Sequence, residues 1–374
     1  MSLAPVVNPS MVEAVQFHHA TFTLRSLATP LYHCLLGEAL EDIERGGPVA
    51  AVLARVPEGL EPLDDAVTLR FLGGVHRLVL TGQAPELARW FPTAGGAFAG
   101  DEAARTGAAA DFVAACEAHR DDLVAALDVT VQTNEMARCA ALAVGFTEVL
   151  RAMGLPLRLL EVGASAGLNL RWDRWRYDSG ASSFGAPEAP VRFEANYAAP
   201  HPDLSAPLGW ADAVAERRGC DRNPLDPTSE EGELLLRSFV WPDQADRHRR
   251  LDAALAVARE VPVTVDRADA AAWAAEQLAE PRPGVATVLY HSIVWQYLPA
   301  ETRAGLIAAV DEAGARATAG APLAWLRMEP PPDPSEAAEL RLTTWAGGAP
   351  VERVVGRTGY HGDPVWAGDS SRPG

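Results

Sequence analysis

The sequence predicts an α/β protein: a doubly wound, mostly parallel sheet closed by a C-terminal antiparallel hairpin and preceded by an all-helical N-terminal domain. Three observations predict it. Residues 1 to about 150 carry apolar positions at helical spacing and no strand signal. Short apolar runs at 157–162, 262–265, 285–292 and 322–328 then alternate with helical stretches, as in a parallel sheet. Runs at 340–345 and 351–356, joined across Gly347-Gly348, read as a closing hairpin. The domains expected are 1–150, a helical cap, and 151–374, the sheet domain with an inserted hairpin around 172–210.

In the N-terminal part the spacing predicts helices over 18–27, 30–44, 48–56, 65–80, 84–90, 101–127 and 134–153. Gly46-Gly47-Pro48 and Pro57-Glu58-Gly59 break the chain between them. Gln132-Thr133-Asn134-Glu135, with Arg138, puts polar groups on the first turn of an otherwise apolar helix. They serve either as an N-cap and solvated turn or as a site-facing cluster. His76, inside an apolar helix, reads as a satisfied core group.

The chain has 374 residues and a net charge of −18, spread without long acidic blocks. Such a surface repels phosphates, so no nucleic-acid partner is expected. No apolar run approaches the roughly 18 residues of a membrane span. Neither a membrane partner nor a signal peptide is expected, and the location expected is cytoplasmic. The four cysteines, Cys34, Cys116, Cys139 and Cys220, are scattered and read as reduced thiols. The nine histidines have no ligand spacing, so no metal is expected.

The organising stretch is Leu157-Arg158-Leu159-Leu160-Glu161-Val162-Gly163-Ala164-Ser165-Ala166-Gly167-Leu168-Asn169-Leu170. It reads as a buried strand, a loop of small residues, and the start of a helix. Gly163 allows a left-handed turn off the strand. Ala164, Ser165 and Ala166 keep the main chain open to a ligand, and Gly167 allows close packing. Glu161 lies at the carboxyl end of the strand, where open α/β sheets bind ligands. The helix start would offer free N–H groups. The G-K-[ST] of a phosphate loop is missing, and so is the G-x-G-x-x-G of dinucleotide enzymes.

An acid two residues before G-x-x-x-G resembles the first motif of the Rossmann-fold methyltransferases, which bind S-adenosylmethionine (SAM). Further motifs extend the likeness over roughly 155–360. Gly219-Cys220-Asp221-Arg222-Asn223-Pro224 resembles the second strand end, which implies that Asp221, beside Asn223, accepts from the ribose hydroxyls. Asp226 and Glu194 compete for that role, because Asp221 falls much later than the usual roughly 20 residues after the loop. An Asx turn is the alternative for Asp221. Asp269-Ala270 resembles the position that binds the adenine amino group, or else caps the next helix. His291-Ser292, followed by Gln296-Tyr297-Leu298-Pro299, resembles the fourth motif, which faces the methyl donor. The resemblance implies SAM as cofactor, held by Glu161, Gly163, Ser165, Gly167, Asn169, Asp221, Asn223, Asp269, His291 and Ser292. His291, Tyr297 and Glu135 are the candidate catalytic groups. Asn134 and Arg138 are the candidate contacts to a small-molecule acceptor.

Over its whole length the chain also resembles an uncharacterised, mainly actinobacterial family. The likeness lies in Gln132-Thr133-Asn134-Glu135, in the stretch from Leu160 to Asn169, in Asn223-Pro224-Leu225-Asp226, in Val240-Trp241-Pro242 and in His291-Ser292. The expected activity is a SAM-dependent methyltransferase acting on an unknown small molecule. The alternatives are an enzyme that cyclises or cleaves SAM, a non-catalytic SAM-binding protein, and a hydrolase. For the hydrolase, Gly163-Ala164-Ser165-Ala166-Gly167 matches the G-x-S-x-G elbow, with Asp269 and His291 or His361 completing a triad around Ser165.

Overall fold

A computed structural model describes residues 5–23, 29–331 and 337–368. The chain forms two compact units, Met1–Thr133 with Ser229–Arg249, and Asn134–Thr228 with Arg250–Gly374.

The first unit is helical: α1 (Pro9–Thr21), α2 (Pro30–Arg45), α3 (Pro48–Leu53), α4 (Val67–Leu80), α5 (Pro85–Ala88), α6 (Glu102–Ala118) and α7 (Arg120–Ala126). The helix expected at 18–27 lies partly outside the described residues, and α1 begins well before it. Proline at the first helical position starts α1, α2, α3 and α5, where its missing N–H costs nothing. Leu35, Leu36, Val52, Phe71, Val75 and Phe112 build the core of this unit. His76 is a satisfied core group: Nδ1 meets Ser238 O at 3.1 Å and Nε2 meets Thr93 Oγ1 at 2.8 Å. Burial, with His248 nearby, lowers its pKa to about 3, so it stays neutral.

The second unit opens with α8 (Arg138–Met153) and β1 (Leu157–Val162). No α-helix follows the glycine loop. Asn169–Arg174 is a 3-10 stretch interrupted at Arg171 (φ −102°, ψ 23°). The Arg171 guanidinium folds back onto Gly167 O and Val261 O, both at 2.8 Å, which ties down the turn that a helix would have continued. The expected inserted hairpin is a small sheet of β2 (Arg176–Asp178), β3 (Ser183–Phe184) and β4 (Arg192–Phe193) in the order β3-β2-β4. Next comes β5 (Val214–Asp221). Helix α9 (Glu230–Ser238) belongs to the first unit, and Ser229 caps it, accepting from Gly232 N. Helix α10 (Ala245–Glu260) leads to β6 (Thr264–Arg267), α11 (Ala270–Gln277), β7 (Ala286–Ser292), α12 (Ala300–Arg316), β8 (Leu323–Glu329), β9 (Ala338–Trp345), β10 (Val351–Thr358) and β11 (Val365–Ala367).

The main sheet has eight strands in the order β11-β10-β9-β8-β7-β1-β5-β6. The strands β6, β5, β1, β7 and β8 are mutually parallel. From β8 the chain reverses into β9, then β10, then β11, each antiparallel to the one before. The expected terminal hairpin is therefore part of a longer meander. Chain order changes direction between β1 and β7, which makes the carboxyl ends of these two strands the switch point of the sheet. On one face Leu160, Val162, Leu289 and Trp325 pack with Trp273 of α11 and Leu306 and Val310 of α12. On the other, Phe146 of α8 meets Tyr290 edge-on at 5.0 Å and Trp172 at 4.8 Å. Helices on both faces explain why β1 and β7 are buried throughout.

Close packing of α8 on the sheet requires Gly145. A Cβ there would stand 2.4 Å from Leu326 Cδ1 and 3.0 Å from its branch carbon. Gly145→Val is expected to destabilise the protein by about 1–3 kcal/mol through overpacking, read as a lower urea midpoint.

Candidate functional site

The carboxyl end of β1 turns through three left-handed residues: Gly163 (φ 69°), Ser165 (φ 54°) and Gly167 (φ 66°). For Ser165 this conformation is strained. Side chains distant in sequence hold it. Asn134, itself at φ 31°, accepts with Oδ1 from Ala166 N at 3.2 Å and Leu168 N at 3.0 Å. Asp221, at the tip of β5, accepts from Ser165 N at 2.9 Å and Asn223 N at 2.8 Å. Ala164 N goes to Cys220 O at 3.0 Å, and Gly167 N to Ala164 O at 2.7 Å. The N–H groups expected to be free for a ligand thus already have acceptors inside the protein. With no α-helix behind them, there is also no helix dipole to add.

Glu161 lies directly before the loop, at the end of β1. It is 2% exposed, and its Oε2 has no hydrogen-bond partner. Burial pushes its pKa up to about 8, against the Tyr290 hydroxyl and the Arg138 charge, which lower it. Glu161 is therefore mostly protonated at pH 7. Tyr290, its register partner on β7, also has a buried hydroxyl without a partner in good geometry. Arg171 and Arg217 lie on the same side. Arg217 pairs with buried Asp173 at 3.0 Å, and burial brings the Arg171 pKa down to about 10, so it remains a cation.

On the opposite face of β7, His291 is fully buried. Its Nδ1 lies 2.6 Å from Glu329 Oε1 at the end of β8, while its Nε2 has no partner. The imidazole stacks on Trp295 with centroids 5.4 Å apart and planes inclined by 12°. The residues after it press on the glycine loop: a Cβ at Gly163 would stand 2.6 Å from Val294 Cγ2.

The other candidates occupy different environments. Asn169 accepts from the Cys139 thiol at 3.2 Å, inside the unit. Arg138 donates to Ser292 O at 3.0 Å and Tyr360 O at 3.2 Å, which ties α8 to the exit of β7. Glu135 is buried, accepts from Ala137 N at 3.0 Å and lies 3.9 Å from His361 Nδ1. Asp269 caps α11, accepting from Ala271 N and Ala272 N, and also accepts from Thr302 Oγ1 at 2.9 Å. Asn223 receives Arg267 Nη1 at 2.8 Å. Asp226 forms an Asx turn with Thr228, and Glu194 pairs with Arg192 on the small sheet, so neither acid reaches the loop through these bonds. Tyr297 is 62% exposed. Sequence reasoning passed over Glu329 and Tyr290. An acid ending the strand next to a histidine strand, at a switch point, is the signal that would have found Glu329. Among the described residues no three His, Cys, Asp or Glu side chains gather as a metal site requires, and no helix is long and apolar enough to cross a membrane.

The chain belongs to a bacterial family described as "Uncharacterized protein conserved in bacteria (DUF2332)", whose pattern it matches over residues 15–366. No curated protein and no solved structure matches it.

Glu161 makes a stability prediction. Its carboxyl titrates at the ordinary 4.5 when unfolded and at about 8 when folded. The folded state thus holds a proton that the unfolded state releases. This contribution is full below about pH 4.5 and is lost as pH rises through 8. Glu161→Gln, neutral at every pH, is expected to raise the melting temperature by several degrees at pH 8 and hardly at all at pH 5. Equal effects at both pH values would mean that Glu161 is ionised in the folded protein.

Proposed function

Given a family description that assigns no chemistry, we propose that the carboxyl edge of the parallel sheet binds SAM and that the protein transfers its methyl group to a small molecule. The observation that carries this reading is the buried, unpartnered Glu161 Oε2 at the switch point, directly before the glycine loop. A buried carboxyl oxygen without a partner in good geometry is costly, the Tyr290 hydroxyl being the group beside it, and a ligand ammonium would satisfy it. Asp221 suits the ribose. Its two oxygens use two of about four lone-pair sites on loop amides, which leaves capacity for vicinal hydroxyls at the half-buried strand tip. The filled loop amides disfavour a pyrophosphate, which would need them free, and they leave the SAM carboxylate to other groups. SAM carries no phosphate. When bound, SAM supplies a methyl group already activated by its sulfonium, so the protein's own task is binding and alignment.

A second reading rests on Ser165. Its left-handed φ of 54° on a turn leaving a strand suits a nucleophile elbow, and the acid partner of His291 is Glu329 rather than Asp269. Against it, the order Ser165, His291, Glu329 is not the Ser, acid, His order of that fold.

Calorimetric titration with SAM and S-adenosylhomocysteine tests the first reading. Micromolar binding is expected. In Glu161→Gln it should weaken by about 10- to 100-fold, the worth of a lost charge-assisted bond, although the variant folds at least as stably. Because an ammonium favours ionised Glu161, affinity should rise between pH 6 and 7.5, with proton release visible as a dependence on buffer ionisation heat. Absence of binding of either ligand, with Ser165 labelled by a fluorophosphonate, would replace this reading with the second.

A further inference from the structure

The exit of β7 holds a pair of buried groups whose geometry specifies a proton acceptor. Glu329 Oε1 receives two bonds: one from Val294 N at 3.1 Å, the other from His291 Nδ1 at 2.6 Å. An oxygen that accepts from an amide N–H and belongs to a carboxylate cannot donate, so Nδ1 carries the ring proton. In the neutral ring the lone pair is then on Nε2, the atom with no partner. Between these groups the backbone is strained: Ile293, a β-branched residue, stands at φ 51°. It is held by its own N–H to Met328 O at 2.9 Å and by the next amide on Glu329. Strain of this kind needs the surrounding structure to maintain it and clusters at functional sites. Val294 of the same turn fills the space above Gly163, so the pair adjoins the loop assigned above to the methyl donor.

We infer that His291 and Glu329 are a base dyad and that the methyl acceptor is therefore a protic nucleophile: a hydroxyl, an amine or a thiol. This rests on the SAM reading. The nucleophile's lone pair forms the bond to the methyl carbon, and the carbon–sulfur bond breaks with its electrons remaining on sulfur. The acceptor's proton passes to His291 Nε2. The resulting imidazolium is neutralised by Glu329 and later loses its proton to water. His291 is the catalytic residue and Glu329 the positioning residue. Trp295, stacked on the imidazole, begins the turn Trp295–Tyr297, whose Gln296 and Tyr297 are exposed, and the proposal requires this turn to move aside to open Nε2.

The first measurement is a long-range ¹H–¹⁵N spectrum of the histidine-labelled full chain, which reads the tautomer without any turnover. The Nδ1–H form of His291 is expected in the wild type, with its signals assigned by their loss in His291→Gln. It should persist in Glu329→Gln, whose amide oxygen still accepts, and give way to a mixture in Glu329→Ala. The second measurement offers ¹⁴C-methyl SAM with a panel of catechol, phenol, primary amine, thiol and indole acceptors. Label is expected on O, N or S. His291→Gln should lower the rate at least 100-fold with the SAM Kd within about threefold, and Glu329→Gln should lower it on the order of 10-fold or more, since it keeps the tautomer but not the charge. An Nε2–H ring in the wild type, label on the indole carbon, label on no acceptor of the panel, or an undiminished rate in His291→Gln would overturn the dyad while SAM still binds. Failure to bind SAM would overturn the reading beneath it.

Discussion

The loop after β1 is held in a conformation that its own residues do not favour, and most of the site depends on that. Asn134 and Asp221, one before α8 and the other at the tip of β5, take up three of its amides. These bonds let Ser165 remain at positive φ and bring Gly163 under Val294. Through Val294 the constraint extends to Glu329 and His291. A loop that satisfied its amides with solvent would lose this chain of contacts, which continues beyond the last register pair of β1 and β7, Glu161 with Tyr290.

The two charged residues of β1 separate structure from function on one strand. Arg158, near its amino end, is buried but paired: it donates to Glu216 Oε2 at 3.2 Å, Gln277 O at 3.0 Å and Gln277 Oε1 at 3.1 Å. Glu161, three residues on, is equally buried and has an oxygen with no partner. A strand that only needed to fold would place an apolar residue there, since removing an unsatisfied polar group relieves its desolvation cost. Under the proposed SAM reading, a ligand ammonium completes the bonding of Glu161.

The layered fold was legible because its signals are local. Apolar runs marked β1 and β7, and helical spacing marked α2, α4 and α8, within a few residues. What the sequence hid was set by long-range partners. The helix expected after Gly167 gives way to a 3-10 stretch because Arg171 bonds to Val261 O, ninety positions on, a contact no periodicity announces. The role of Asn134 was ambiguous for the same reason: whether it caps a helix or faces the site depends on a loop over thirty residues away. Asp269 had a cap signature readable in place, and it is a cap. Glu329 goes unnoticed in the sequence, because only the β7–β8 pairing sets it beside His291.

The two faces of the sheet divide the proposed chemistry. Strand alternation sends Glu161 and Tyr290 toward α8, and His291 toward the face covered by α11 and α12. A protonated acid that would ionise on meeting an ammonium therefore sits on one side of the strand ends, and an imidazole with its lone pair uncommitted on the other. Were both groups on one face within bonding distance, they would form an ion pair and satisfy each other, leaving neither for a ligand. Their placement on opposite faces of the sheet lets each keep an unmet bond. In the proposed reading the donor at Glu161 and the acceptor at His291 would have to meet at the shared carboxyl edge of β1 and β7, the switch point where the two strand ends part.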